Sequence, residues 1–397
     1  MKNQSIFYLI FIASILFIHL DTIFQIDTTK NLEKRGLAKF PSDNKTFANF
    51  TKDFDSYAKD NFGFRKFLIK YNALSKYHIF KSVKKNVLVG KDDWMFLNSS
   101  AGEKDLIFRD YTNRNQLSKK EQRTILNKYR KRSKTLNTLG IKYYRGFYPN
   151  KHTIYKEMLP ERALKCILPY ESTADQILNQ LFKVPHLTAF DFREELLENK
   201  SKHSLYIKGD THWNEMGSFI AYEKIINQLS LDFPSIKPKK DYDVLWFNDM
   251  IKWKRLKRKV CKTNCYSEYI IGNDRTLYSP QGLIKMLGFE SSKLLDSIPI
   301  FIPNFKNTTK KIKEIKVPGV RKLEIFENKK AGNNLTVLVF RDSYTLSLIK
   351  FLYPNFRKTI FIKGQFSINK VKQYNPDIIL DIHVERHFGW GTNNFTI

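Results

Sequence analysis

Short apolar runs rich in β-branched and aromatic residues recur along the chain, with stretches of helical periodicity between them. Ile141 to Tyr148, Leu187 to Asp191, Leu335 to Phe340, Lys358 to Lys363 and Asp377 to Val384 are of this kind. Such runs, bounded by turn formers, read as buried strands. Lys119 to Leu139 (amphipathic, basic, stopped by Gly140), Ala174 to Phe182, Glu215 to Leu229 and Tyr344 to Leu352 read as helices. Strands alternating with helices predict an α/β fold, a mostly parallel sheet with flanking helices. Ahead of it, Val87 to Leu97 predicts a hairpin turning through Gly90-Lys91-Asp92-Asp93.

The remaining segments set the organisation of the 397 residues. Ser5 to Leu20 is almost wholly apolar, follows Met1-Lys2 and is interrupted by Asp21. No small-x-small cleavage site follows. Residues 1–26 therefore predict an uncleaved signal anchor, with the bulk of the chain outside the cytoplasm. A buried N-terminal helix is the alternative. Residues 27–83 predict a membrane-proximal linker, then a helical segment from Phe47 to Phe80 interrupted at Asp60–Arg65. Its stripe of Phe47, Phe50, Phe54, Tyr57 and Ala58 predicts core packing. Residues 84–397 predict one domain, with an irregular or β insertion around 234–334.

Lys and Arg exceed Asp and Glu by 69 − 39 = 30. That surplus suggests an anionic polymer or membrane surface nearby, or simply a solvated face, and Trp253 to Lys259 is its densest run. No zinc-finger spacing, RNP motif or Walker loop is present, so no nucleic-acid partner is expected. Cys166, Cys261 and Cys265 allow one bridge outside the cytoplasm, Cys261–Cys265 being nearest in sequence. No second Cys or His pair accompanies them, so no metal is expected, nor any other cofactor.

Two stretches carry chemistry. In Arg341-Asp342-Ser343-Tyr344 the serine falls where a strand stops and a helix starts, which lifts a hydroxyl out of the sheet beside backbone N–H groups. In Asp210-Thr211-His212-Trp213 an imidazole and a carboxylate are spaced to activate such a hydroxyl. Each has a plainer reading. Ser343 fits a helix N-cap, Asp210 a cap for the helix from Glu215, and His212 a packed histidine. Tyr344 and Trp213 read as packing residues, and Asp381 and His383 as structural residues of a buried strand.

With Asn214 and Gly217 added, these motifs make the chain resemble the DHHW-type proteins. Those are relatives of the alginate O-acetyltransferases with an SGNH-hydrolase-like domain. Phe40-Pro41, Asp60 to Arg65, Gly90 to Phe96, Pro149-Asn150-Lys151, Met286-Leu287-Gly288, and Asn375-Pro376-Asp377 with Glu385-Arg386 agree, from about residue 38 to about 388. The resemblance implies an SGNH-like fold with permuted catalytic order. It implies Ser343 as the nucleophile, His212 as the general base and Asp210 as the orienting acid. Arg341 stands where the wider superfamily has glycine. Gly364 and the Ser343 N–H are the candidate oxyanion donors, and Tyr344, Arg341 and Arg386 candidate substrate-binding residues. The implied activity is O-acyl transfer, O-acetyl above all, to hydroxyls of a cell-envelope or exported polysaccharide, outside the cytoplasm. An acyl-serine would carry the group, supplied by a membrane-embedded acyl-transfer partner. A glycan esterase with the same triad, or a non-catalytic tethered assembly or glycan-binding protein, are the alternatives.

Overall fold

Residues of one parity along each central strand pack on one face of a sheet, and those of the other parity pack on the opposite face. The computed structural model describes residues 2–29, 36–41, 46–81, 86–98, 106–247, 298–317 and 320–389. Its strands are β1 (Val87–Val89), β2 (Met95–Leu97), β3 (Lys142–Tyr148), β4 (Leu187–Asp191), β5 (Tyr242–Phe247), β6 (Ile298–Pro303), β7 (Lys310–Val317), β8 (Val320–Glu327), β9 (Thr336–Arg341), β10 (Lys358–Lys363) and β11 (Ile378–Val384). Tyr144 and Tyr148 of β3, Val337 and Val339 of β9, and Leu380 and Ile382 of β11 join one core. Tyr143 and Phe147, Leu338 and Phe340, and Ile379 join the other. The helix Glu215–Asp232 covers the first core through Tyr222, Ile225, Ile226 and Leu229. The helices Lys119–Thr138 and Thr173–Leu181 cover the second through Ile125, Tyr129, Ile177 and Leu181. Burying each such side chain contributes roughly 1.5–3 kcal/mol, so this period of two is what holds the layers together.

The sheet runs β4-β3-β11-β9-β10-β8-β7. Its first five strands are parallel. β8 and β7 add an antiparallel edge. The fold is thus α/β with a mixed sheet. That edge, and the antiparallel pair of β5 and β6, are strands inside the span expected to be irregular or β. The charge run Trp253–Lys259, Cys261, Cys265 and the expected helix at 281–288 lie outside the described residues. Cys166 is a free thiol. The predicted helix after the serine is shorter than its apolar spacing suggests: a 3₁₀ turn, Tyr344–Ser347, then a four-residue α turn, Ile349–Leu352.

The described residues divide into two units, one reaching to Val87 and one starting at Leu88. The first holds the helices Lys2–Phe24, Phe47–Asn61 and Arg65–Phe80. The last two are separated by Phe64 in the left-handed region, φ 54°. The aromatic stripe expected to be core is largely exposed, with Phe47 at 83% and Phe54 at 43%. It packs on itself and on Phe40, as in the Phe40–Tyr57 ring contact at 5.2 Å. Among the described residues no helix is long and apolar enough to cross a membrane.

Candidate active site

Ser343 follows β9 at the carboxyl end of the parallel strands. The chain leaves β9 for β10 on one side and returns to β11 on the other. A crevice opens at such a reversal of strand order, and ligands in open α/β sheets bind there. Asp342 fixes the turn. Its Oδ1 accepts from the Tyr344 N–H at 2.8 Å and its Oδ2 from the Val384 N–H at 2.6 Å, with His387 Nδ1 3.1 Å from Oδ2. Burial pushes this carboxyl up, but His387, His383 and the Val384 N–H outweigh it and hold it well below the usual range. Asp342 is therefore the residue that caps the turn. The Ser343 side chain makes no capping bond.

The histidine arrives on a separate loop. Tyr206 and Trp213 form an isolated antiparallel bridge, and Ile207 N–H donates to His212 O at 3.1 Å, closing the turn that carries Asp210 and His212. Asn214, not Asp210, caps the next helix, its Oδ1 accepting from the Gly217 N–H. Gly217 has to be glycine here, because an added Cβ would lie 2.5 Å from Leu205 O. Two bonds join the loops: Trp213 Nε1 donates to Tyr344 O at 3.0 Å, and Tyr344 Oη donates to Thr211 O at 2.6 Å. A third tie is the buried ion pair of Lys350 with Glu215.

Within this frame His212 Nε2 stands 2.9 Å from Ser343 Oγ, and Nδ1 stands 2.7 Å from Asp210 Oδ1. Burial raises the Asp210 carboxyl, but the bonds from His212 outweigh it and hold it below its ordinary value. An ionised Asp210 only accepts, so Nδ1 carries the imidazole proton and the Nε2 lone pair faces the serine. The His212 side chain is 33% exposed, so molecules in solution reach it. The Ser343 N–H has no hydrogen-bond partner among the described residues and stays available to a developing oxyanion.

The other expected site residues are placed as supports rather than lining. The Gly364 N–H is taken up by Arg341 O at 3.0 Å, so it does not serve as an oxyanion donor. Arg341 is buried against Glu324 at 3.1 Å. Arg386 is buried, donating to Asn150 Oδ1 at 2.6 Å and lying over the Tyr344 ring. Tyr344 and Trp213 are buried, so they do not contact substrate as platforms. Lys151 escaped the sequence reading except as part of a motif. It is 1% exposed and sits over the Trp94 ring. Its Nζ donates to Met95 O, Ile207 O and Lys208 O at 2.8 Å each, and lies 3.1 Å from Asp210 O. It ties the hairpin of β1 and β2 to the loop that carries Asp210. Among the described residues no cluster is suited to a metal ion.

Fold and site together define an α/β protein with an aspartate, a histidine and a serine in line at the carboxyl edge of a mixed sheet. Residues 87–259 match the family described as the SGNH hydrolase-like domain of the acetyltransferase AlgX, so the resemblance to the alginate O-acetyltransferases is shown over a span that includes Asp210 and His212. Among solved structures, Bacillus cereus PatB1 with a sulfonyl adduct is similar at 14% identity and TM-score 0.53, over 78% of this chain and all of that one. A DHHW family protein from Eubacterium siraeum aligns at 13% identity and TM-score 0.44, over 78% of this chain and 94% of that one. The O-acetyltransferase domain of Pseudomonas putida AlgJ aligns at 14% and 0.40, over 78% and 96%. A comparison with the curated proteins finds no match.

Proposed function

We propose that the protein is a serine-dependent O-acyltransferase that moves an acyl group, acetyl above all, onto a hydroxyl of a polysaccharide outside the cytoplasm. The observation that carries this reading is the line Asp210 Oδ1, His212 Nδ1, His212 Nε2, Ser343 Oγ, with both gaps under 3 Å. In the first step Ser343 Oγ bonds to the acyl carbon, its proton passes to Nε2, and the leaving oxygen or sulfur departs with that proton. In the second step a sugar hydroxyl loses its proton to Nε2 and bonds to the acyl carbon, and the proton returns to Ser343 Oγ. Asp210 holds the tautomer and stabilises the imidazolium in both steps. The surplus of basic residues suits an anionic acceptor or membrane surface. A membrane-embedded partner that hands over the acyl group, and anchorage through the N-terminal helix, belong to the same proposal.

The test is intact-mass measurement of the full chain after exposure to a chromogenic acetyl ester, with Ser343→Ala alongside. The expected result is an acetyl adduct on the unaltered protein alone, and transfer to added oligosaccharide. Turnover to free acetate that oligosaccharide leaves unchanged would make the protein an esterase. No adduct and equal turnover in both proteins would defeat serine chemistry altogether.

A further inference from the structure

We propose that a second, polar pocket on the same edge of the sheet seats one sugar ring of the acceptor glycan, away from the reacting hydroxyl; the proposal rests on the reading of Ser343 as acyl carrier. The pocket has a volume of about 170 Å³. At about 30 Å³ per water that is room for roughly five or six waters, the scale of a single pyranose ring. Its walls include His152 and Thr153 after β3, Arg193 after β4 and Glu385 after β11, with Asp110 and Tyr170. Ser343 follows β9, the strand next to β11, so the pocket and the serine share the carboxyl edge of the sheet.

The polar groups of the wall point to hydroxyls as ligands. His152 is 4% exposed and stacks on Tyr111 at 4.6 Å, yet neither ring nitrogen has a hydrogen-bond partner among the described residues. The ring is packed between Tyr111 and Phe96, so it forms the floor of the pocket rather than a bonding partner for a ligand. Burial pushes this imidazole down to about 3, so it stays neutral. Asn150 bridges the two acids: its Nδ2 donates to Asp110 Oδ2 at 2.8 Å and its N–H to Glu385 Oε1 at 2.7 Å. Burial raises both carboxyls, and Glu385 raises Asp110 further. Asp110, raised to about 8, keeps its proton at neutral pH, and a neutral carboxyl both donates and accepts, as sugar hydroxyls do. Arg193 is held by Asp175 at 2.5 Å and Asp191 at 2.6 Å, so its charge is already matched. Tyr170, 57% exposed, offers an aromatic ring for the apolar side of a sugar. Asn150 also accepts from Arg386, which lies over Tyr344, so a short run of contacts joins the pocket wall to the serine turn. Binding a remote ring there would help to orient the one that reacts.

The test titrates the full-length Ser343→Ala protein with two probes, the tetramer of N-acetylglucosamine and the tetramer of galacturonate. Saturable binding of either is expected, and Thr153→Val and Tyr170→Ala should each weaken it by about fivefold or more. Both positions are at least partly exposed, so unchanged melting is the check on folding. No saturable binding by either probe, or equal binding by both pocket variants, overturns the subsite. The two readings fail separately. Acyl transfer with KM unchanged in the pocket variants would keep the acyltransferase and sink the subsite. Pocket-dependent binding without any acyl-serine would keep a sugar site and sink the acyl carrier.

Discussion

Asp210-Thr211-His212 and Asp381-Ile382-His383 are the same pattern in two settings. In both, spacing by two residues brings carboxylate and imidazole to the same side. In the loop, His212 Nδ1 is 2.7 Å from Asp210 and its Nε2 faces a serine hydroxyl. In strand β11, both side chains are 2% exposed. Asp381 Oδ2 accepts from Tyr143 Oη at 2.9 Å and Arg132 at 3.3 Å, with Arg145 3.6 Å away. His383 Nε2 donates to Gly364 O, while its Nδ1 is 3.4 Å from Asp381. In the loop the carboxylate is left to the imidazole and the far nitrogen faces a hydroxyl, the arrangement that the proposed base requires. Arginines claim Asp381, and a carbonyl claims His383.

The sharpest break of that comparison is to neutralise each acid in turn. Asp210→Asn is expected to lower kcat for the acetyl ester by about 10³–10⁴-fold through the wrong tautomer, with little change in unfolding. Asp381→Asn is expected to do the reverse. It leaves Arg132 and Arg145 buried without their counter-charge, a loss of roughly 3–5 kcal/mol in urea unfolding, while the folded fraction keeps its kcat. Similar losses of kcat in both variants would erase the distinction.

Acid titration sharpens it next. Burial pushes Asp381 up, but Arg145, His383 and Arg132 outweigh it, so the folded value lies well below the usual one. A carboxyl depressed on folding contributes stability that is full above its unfolded value of about 4 and is lost as pH falls through the lower folded value. Urea unfolding from neutral to acid pH should show that loss, and Asp381→Asn should flatten it. Asp110 runs the other way. Raised on folding, it erodes stability as pH climbs from about 4 toward its folded value, so Asp110→Asn is expected to gain stability over that range. An unchanged slope in either variant would show that another group dominates.

The smallest effect concerns the bonds between the loops. Tyr344→Phe removes the hydroxyl that donates to Thr211 O, a loss of about 1 kcal/mol. Because that bond holds the histidine loop against the serine turn, kcat should fall by up to about tenfold with KM unchanged. A change in KM alone would instead make Tyr344 a substrate contact.

Much of this was legible in the residues. The five parallel strands of the sheet all fall on runs that read as strands. Asp210, His212 and Ser343 were picked out by residue type and by position at element ends. The edge strands β7 and β8 were not resolved one by one, since their lysines and glutamates hide the alternation of an edge. The Phe47–Ala58 stripe has the period of a buried face, but period does not say what covers a face. Lys151 gave no signal beyond its place in a motif, because a lone lysine after a strand is ordinarily solvated; only the ring of carbonyls around it makes burial of its charge tolerable.

By itself the sequence determined what depends on near neighbours. Side chains alternate across a strand because the pleat has a period of two, and Asn214 caps its helix because an amide three residues ahead is within reach. Only the tertiary structure decided which Asp-x-His faces the serine, since 131 residues separate His212 from Ser343. That distance is closed by sheet order, by the capping of the serine turn by Asp342, and by the Trp213 and Tyr344 bonds. Chain entropy forbids so long a loop to close on one hydrogen bond, so packing of the whole sheet has to bring the two ends together.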